Sequence, residues 1–222
     1  PRDGGSALEV PRPRPLDERQ RRRLETLPVS AFRAYLACPY RFYLRYALGL
    51  EVLDDRLDEM DGRLFGTLAH AVLQRFGESE VRASSDEERL RAWLDGCLED
   101  EARARFGARP LIAVSVQVEM LRKRLGAFAR WQAARAREGW RIVAVEHEAS
   151  STLATSAGEV AFRGRIDRID ARGEELCVLD YKTGERALGA REAHGALEGE
   201  RWVWSDLQLP LYHVFARELA SR

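Results

Sequence analysis

No stretch of this 222-residue sequence approaches the roughly 20 consecutive apolar residues that a membrane-spanning helix needs. No secretory leader is present either, so the expected location is the cytoplasm, away from any membrane. Cysteine is scarce: Cys38, Cys97 and Cys177, without a C-x-x-C pair. That excludes a disulfide framework and argues against a structural zinc site. Cys97 and Cys177 sit among apolar neighbours and are expected to be core thiols. There is no Walker-A phosphate loop, hence no ATPase motor carried by this sequence, and no internal repeat. An excess of one charge is also missing: 36 basic residues balance 36 acidic ones. Composition alone therefore gives no sign of a nucleic-acid partner. The sequence starts at Pro1-Arg2 rather than methionine and is expected to be a piece of a longer protein.

What is present is ordinary for a globular domain: 45% hydrophobic and 32% charged residues, in a length that buries a sizeable core. The balanced charge hides a local bias, with six arginines between Arg12 and Arg23. Pro11, Pro13 and Pro15 stand in the same stretch, so residues 1–27 are expected to form a partly disordered linker. Ser30 is a candidate N-cap for a helix carrying Phe32, Tyr35 and Leu36. Pro39 should split that helix from a second, with Phe42, Tyr43 and Tyr46, that ends at Gly49; these aromatics are expected in the core. The acidic residues 51–62 read as a solvated connection.

Residues 63–76 place Leu64, Phe65, Leu68, Val72, Leu73 and Phe76 at helical spacing, with His70 among them. Two long amphipathic helices are expected over 85–106, capped by Ser85 and Glu88, and over 114–138. Strands follow at 141–148, 159–170 and 175–182, forming an antiparallel meander. Residues 185–204 read as a mobile loop containing Trp202 and Trp204, which are expected to pack against a final helix over 205–220. Gln208 and Tyr212, one turn apart, share a face of that helix.

The segment from Phe162 to Gly184, FRGRIDRIDARGEELCVLDYKTG, carries the chemistry. It reads as two strands joined by a turn at Ala171-Arg172-Gly173. The second strand runs through Leu176-Cys177-Val178-Leu179 and then changes to Asp-Tyr-Lys-Thr-Gly. Asp180 and Lys182 are two residues apart and project from one face of a strand. An antiparallel return brings Asp167 towards Asp180. Two carboxylates and an ammonium converging at a sheet edge are the parts of a hard-metal site with a charged helper. The plainer alternative is a solvated hairpin end whose surface ion pair is worth about 0–1 kcal/mol.

The pattern G-x-x-D (Gly164 to Asp167) followed by D-Y-K-T-G (Asp180 to Gly184) resembles the PD-(D/E)XK nuclease superfamily, and within it the RecB/AddB-type C-terminal nuclease domain. Three further segments are similar to that group: Ser30-Ala31-Phe32 continuing to Cys38-Pro39-Tyr40-Arg41-Phe42, Gly66-Thr67-Leu68-Ala69-His70 as its G-x-x-x-H motif, and Gln208 to Tyr212 as its Q-x-x-x-Y motif. The resemblance implies an α/β, restriction-endonuclease-like core: a small, mostly antiparallel or mixed central sheet flanked by helices, with an N-terminal helical region. The nuclease domain would occupy 28–222, its helical part 28–138, its catalytic sheet and final helix 139–222.

The same resemblance implies a metal-dependent deoxyribonuclease, an exonuclease by expectation, serving as the nuclease module of a helicase–nuclease in double-strand-break repair and recombination. Asp167 and Asp180 would hold Mg²⁺ or Mn²⁺, with His70 as third ligand and the Tyr181 carbonyl as fourth. An imidazole ligand tilts the choice towards manganese. Lys182 would orient or help deprotonate the attacking water. Gln208 and Tyr212 would fix the DNA backbone or support Lys182, and Glu146 is a candidate supporting acid. Cys38 matches one ligand of an iron–sulfur cluster in some relatives, whose other three ligands follow the Q-x-x-x-Y motif. Either the protein has no cluster or those ligands lie beyond this sequence, and no cluster is expected to assemble from this stretch alone. DNA, as single strands or duplex ends, and a helicase domain or companion chain are the expected partners. Two alternatives stay open: a catalytically silent fold that binds DNA or a helicase, and a standalone single-strand exonuclease.

Overall fold

The computed structural model describes residues 14–50, 60–156, 158–184 and 189–220. Residues 14–27, expected to be linker, carry regular structure instead. Helix α1 (Glu18–Leu24) starts at a capping box in which Asp17 and Gln20 satisfy each other's backbone N–H groups. Strand β1 (Thr26–Pro28) follows and leads directly into α2 (Val29–Ala37). Pro28, not Ser30, occupies the N-cap of α2; the Ser30 hydroxyl lies 3.3 Å from that of Tyr46 instead.

Pro39 divides the segment as expected, opening α3 (Pro39–Phe42), which continues into a π-helical turn over Tyr43–Ala47. Gly49, with φ 73°, ends the unit in a conformation costly to any residue with a Cβ. The aromatics expected in the core divide. Phe32 packs edge-on against Phe162, whereas Tyr35, 54% exposed, meets Phe42 edge-on and the half-buried Phe42 stacks on Tyr46. Among the aromatics of these two short helical units, only Phe32 packs against a buried core cluster. The acidic connection expected over 51–62 falls, up to residue 59, outside the described residues.

Three helices make one layer: α4 (Gly62–Glu78), α5 (Glu87–Phe106) and α6 (Ile112–Arg137). Asp86 caps α5, its carboxylate accepting from the N–H groups of Glu88 and Arg89, so the box expected from Ser85 does not form. Leu68, Val72, Phe76, Leu90, Leu94, Leu98, Leu125 and Ala129 interdigitate between these helices at full burial or close to it. Each large side chain among them contributes roughly 1.5–3 kcal/mol. Gly77 on α4 meets the sheet where a Cβ would overlap Val145, so the helix crosses the strand at contact distance.

The sheet is built on β3 (Gly158–Arg172), which pairs antiparallel with β2 (Arg141–Thr155) on one side and with β4 (Glu175–Leu179) on the other. The expected meander is present, with β2 seven residues longer than read from 141–148 and β4 ending before Asp180. The connecting turn lies at Gly173-Glu174, because Arg172 already pairs with Glu175. β1 joins β3 in parallel at Thr26↔Ala161, Leu27↔Phe162 and Pro28↔Arg163, making the sheet mixed. The second face packs on α2 and α8 (Gln208–Ala220), through Val29, Phe162, Ile166, Leu211, Tyr212 and Phe215. Two helical layers thus enclose one sheet, the α/β architecture expected.

The region read as a mobile loop over 185–204 is described from residue 189, and there it is regular: α7 (Ala190–His194), then a hairpin of β5 (Gly195–Glu198) and β6 (Arg201–Trp204). Its two-residue turn places Gly199 at φ 64°, and Trp202 packs edge-on against Trp204. Among the described residues, no helix is long and apolar enough to cross a membrane.

Candidate active site

Three elements converge where β4 ends. His70 sits on α4 one turn beyond Gly66, where a Cβ would come 3.2 Å from the Thr183 hydroxyl. Gly66 therefore lets the helix approach the segment after Asp180, and that approach delivers His70. Its Nδ1 lies 3.5 Å from Asp167 Oδ1 and 3.7 Å from Glu146 Oε1. One ligand atom from each of these three residues lies within 4.8 Å of the others. The strand register puts Glu146 across from Asp167, between the pairs Val145↔Arg168 and His147↔Ile166. Glu146 is also the one described non-glycine residue with positive φ, 46°. Backbone strain of this kind persists where surrounding structure enforces it, and it clusters at functional sites.

Asp167 is 8% exposed, and its Oδ2 accepts the Tyr181 N–H at 2.6 Å. Burial pushes its pKa up to about 6; the Tyr181 N–H and His70 pull it down, and the Asp180 and Glu146 charges raise it. A carboxylate buried among like charges calls for a cation. The donors suit one: an imidazole nitrogen and carboxylate oxygens, intermediate between a soft and a purely hard set, converging without a direct hydrogen bond between them. His70, Glu146 and Asp167 thus form a triad fit to hold a divalent metal.

Asp180 stands beside this triad in a second set of contacts. Lys182 Nζ lies 2.5 Å from its Oδ2, and Gln208 Nε2 donates to its Oδ1 at 2.6 Å. Gln208 Oε1 accepts from Lys182 Nζ at 2.8 Å, so one amide grips both members of the pair. The amide is itself fixed: Nε2 also donates to the Tyr212 hydroxyl, which donates to the Arg165 carbonyl at 2.7 Å. Tyr212 is buried and its pKa is pushed up to about 12, chiefly by that burial, so it stays a neutral donor. Asp206 accepts the Gln208 N–H at 2.8 Å and anchors the first turn of α8. At Gly164 a Cβ would come within 3.1 Å of Tyr212 and closer still to Val29 and Phe215. This glycine lets α8 lie close enough to β3 for Tyr212 to reach it.

Tyr181 is positioned from behind. Its ring meets His70 and Phe128 edge-on, and Arg168 donates to its hydroxyl at 3.4 Å. Arg168 and Asp170 are both fully buried, with Arg168 Nε 2.5 Å from Asp170 Oδ1 and Arg135 completing the cluster at 2.8 Å. Trp131 lies under both guanidinium groups. A Thr183 carbonyl contact from Arg124 at 2.6 Å pins the segment beyond Lys182.

Every site residue expected from sequence lies in this region: His70, Asp167, Asp180, Tyr181, Lys182, Gln208 and Tyr212. The triad itself takes Glu146 as its third member, a residue expected only in a supporting part, while Asp180 is engaged by Lys182 and Gln208. The alternation of Glu146 with the apolar residues of β2 was its signal in the sequence. The buried Arg168–Asp170–Arg135 cluster was not anticipated; its signal is the second half of G-R-I-D-R-I-D. Cys38 lies half-buried at the junction of α2 and α3, Cys97 is buried in the helical core as expected, and Cys177, also expected in the core, is only half-buried on β4.

Comparison with known proteins gives one family, the PD-(D/E)XK nuclease superfamily, matched over residues 26–222. An ATP-dependent helicase/deoxyribonuclease subunit from Moorella thermoacetica is 29% identical over 208 residues, covering 84% of this chain and 17% of that protein. The proteins of the same name from Ruminiclostridium cellulolyticum and Acetivibrio thermocellus are 26% and 27% identical, over 80% and 70% of this chain. The chain spans only 17% of the length of the first two and 15% of the third.

Proposed function

The chain belongs to the PD-(D/E)XK nuclease superfamily, and from that premise we propose that it hydrolyses phosphodiester bonds of DNA with Mg²⁺ or Mn²⁺, as the nuclease module of a helicase–nuclease in double-strand-break repair. The carrying observation is the pairing of two arrangements at the end of β4: the His70–Glu146–Asp167 triad and the Asp180–Lys182–Gln208 network. The relatives' name, ATP-dependent helicase/deoxyribonuclease, supports the module reading and the helicase partner. Action on DNA ends, as an exonuclease, and a cytoplasmic location belong to the same reading.

In this reading His70, Glu146 and Asp167 hold the cation, with Asp180 and the Tyr181 carbonyl as further ligands. When bound, the cation supplies charge neutralisation at the phosphoryl oxygens and a more acidic water. The chain's own residues do the rest. Gln208 holds the Lys182 ammonium beside Asp180, where it donates a hydrogen bond to the water or to the phosphoryl oxygen. That fixed positive charge stabilises the negative charge that develops as the water oxygen bonds to phosphorus and the ester oxygen departs. Tyr212 keeps the Gln208 amide in one orientation, its Nε2 towards Asp180 and its Oε1 towards Lys182.

The test is cleavage of end-labelled single-stranded and duplex DNA in EDTA, Mg²⁺ and Mn²⁺, without ATP. The expected result is cation-dependent cutting that Asp180→Ala abolishes. Bound but uncut DNA under all three conditions would instead favour a silent nuclease fold.

A further inference from the structure

We propose that the cleft beside the acidic cluster is the path of a single DNA strand, with Arg163 and Arg165 as its phosphate contacts. The proposal rests on the nuclease reading above.

Along β3, Phe162 and Ile166 are buried against α2 and α8, and the residues between them alternate to the other face. Arg163 and Arg165 therefore stand on the face where Asp167 meets His70, and both are exposed. Each two-residue step along the strand is roughly 6.6 Å, close to the separation of successive phosphates in an extended nucleotide chain. Asp167, Arg165 and Arg163 thus form a line that begins at the triad and continues at phosphate spacing.

The sheet leaves room along this line. β1 covers β3 only at Ala161–Arg163, and β4 covers it only from Arg168 onward. On that side the residues from Gly164 to Asp167 have no strand neighbour. A cleft of about 460 Å³ lies across β3 here, between Pro28 at the end of β1 and Glu148 to Ser150 on β2. Ligand pockets run roughly 300–1,000 Å³, and this one has room for a short stretch of single strand.

The charges lining it are arranged for use. Among the described residues Arg163 has no hydrogen-bond or ion-pair partner, so its planar fork of donors is open to a phosphate. The exposed Ser150 lies opposite it in register and offers a hydroxyl to the same group. Arg165 is 63% exposed at its side chain and gives Nε to Glu146 Oε2 at 2.8 Å. Its remaining N–H groups can take the phosphate nearest the triad while Nε steadies Glu146. Glu148, across from Arg165, makes no ion pair among the described residues and opposes anions in the same cleft.

The experiment is fluorescence anisotropy with an end-labelled oligothymidylate and a hairpin duplex, in EDTA, across a series of salt concentrations. Circular dichroism checks that each variant is folded. The expected result is tighter binding of the single strand than of the hairpin. Arg163→Ala should weaken it roughly fivefold and flatten the slope of log affinity against log salt by about 0.7, one phosphate contact on a single strand. Arg163→Lys should restore most of both, and Glu148→Gln should tighten binding. An unchanged slope in Arg163→Ala, or a duplex bound more tightly and weakened as much, overturns the proposal. Wild type that cuts DNA while Arg163→Ala keeps the full slope removes this strand path and leaves the nuclease standing. Wild type that binds as described but never cuts removes the nuclease reading and leaves the path.

Discussion

Replacing Asp167 with asparagine should stabilise the cation-free protein at neutral pH. The Asp167 pKa rises from 3.8 to about 6, mainly through burial. A rise of about two units corresponds to roughly 3 kcal/mol of folding free energy spent on keeping the carboxylate ionised at pH 7. Between 3.8 and about 6 the folded state binds more protons at this site than the unfolded state, so the stability it contributes is complete below 3.8 and is lost as pH rises through about 6. Asparagine removes the charge and keeps an oxygen to accept the Tyr181 N–H. In EDTA at pH 7.5, thermal unfolding should show Asp167→Asn more stable by about 2–3 kcal/mol, or roughly 5–10 °C for a chain of this length. The advantage should shrink as the pH is lowered to 5, and Mn²⁺ should raise the melting temperature of wild type but not of the variant. A variant less stable than wild type at pH 7.5, or equally favoured at both pH values, would refute the reasoning.

Three other substitutions probe the supports of the site. Gly164→Ala places a Cβ 2.8 Å from Val29 Cγ2 and 3.0 Å from Phe215 Cε2, and should cost about 1–3 kcal/mol in denaturant unfolding. Arg168→Met strands Asp170 at zero exposure with Arg135 as its remaining partner, a loss of about 3–5 kcal/mol by the same assay. Gln208→Ala releases Lys182 and Asp180 together and should slow cleavage about 10–100-fold at saturating cation, with little change in melting temperature.

The site was legible where its parts follow one another closely in sequence. Asp167 and Asp180 lie on either side of one hairpin, and strand alternation with a tight turn fixes how such a hairpin closes. His70 could be placed on a helix by the spacing of Leu68, Val72 and Phe76. Glu146 gained its place in the triad through a register set by long-range pairing and a left-handed backbone, neither visible in a local pattern. β1 was missed for a similar reason: three residues ending in proline have no strand signature, and only the edge of β3 makes them one. Gly195–Glu198 and Arg201–Trp204 are only four residues each, so their glycines and charges outweighed the alternation of Trp202 and Trp204. Asp86 took the cap expected of Ser85 because it stands one residue nearer the first helical turn, with its carboxylate in reach of two N–H groups.

The most direct measurement is single-turnover cleavage of labelled single-stranded DNA by Lys182→Ala, alongside its Mn²⁺ affinity. The expected result is a rate lower by about a hundredfold or more with cation affinity undiminished, because the ammonium serves the developing phosphate charge and is no ligand. Cleavage at the wild-type rate, or a loss explained wholly by weaker cation binding, would contradict it.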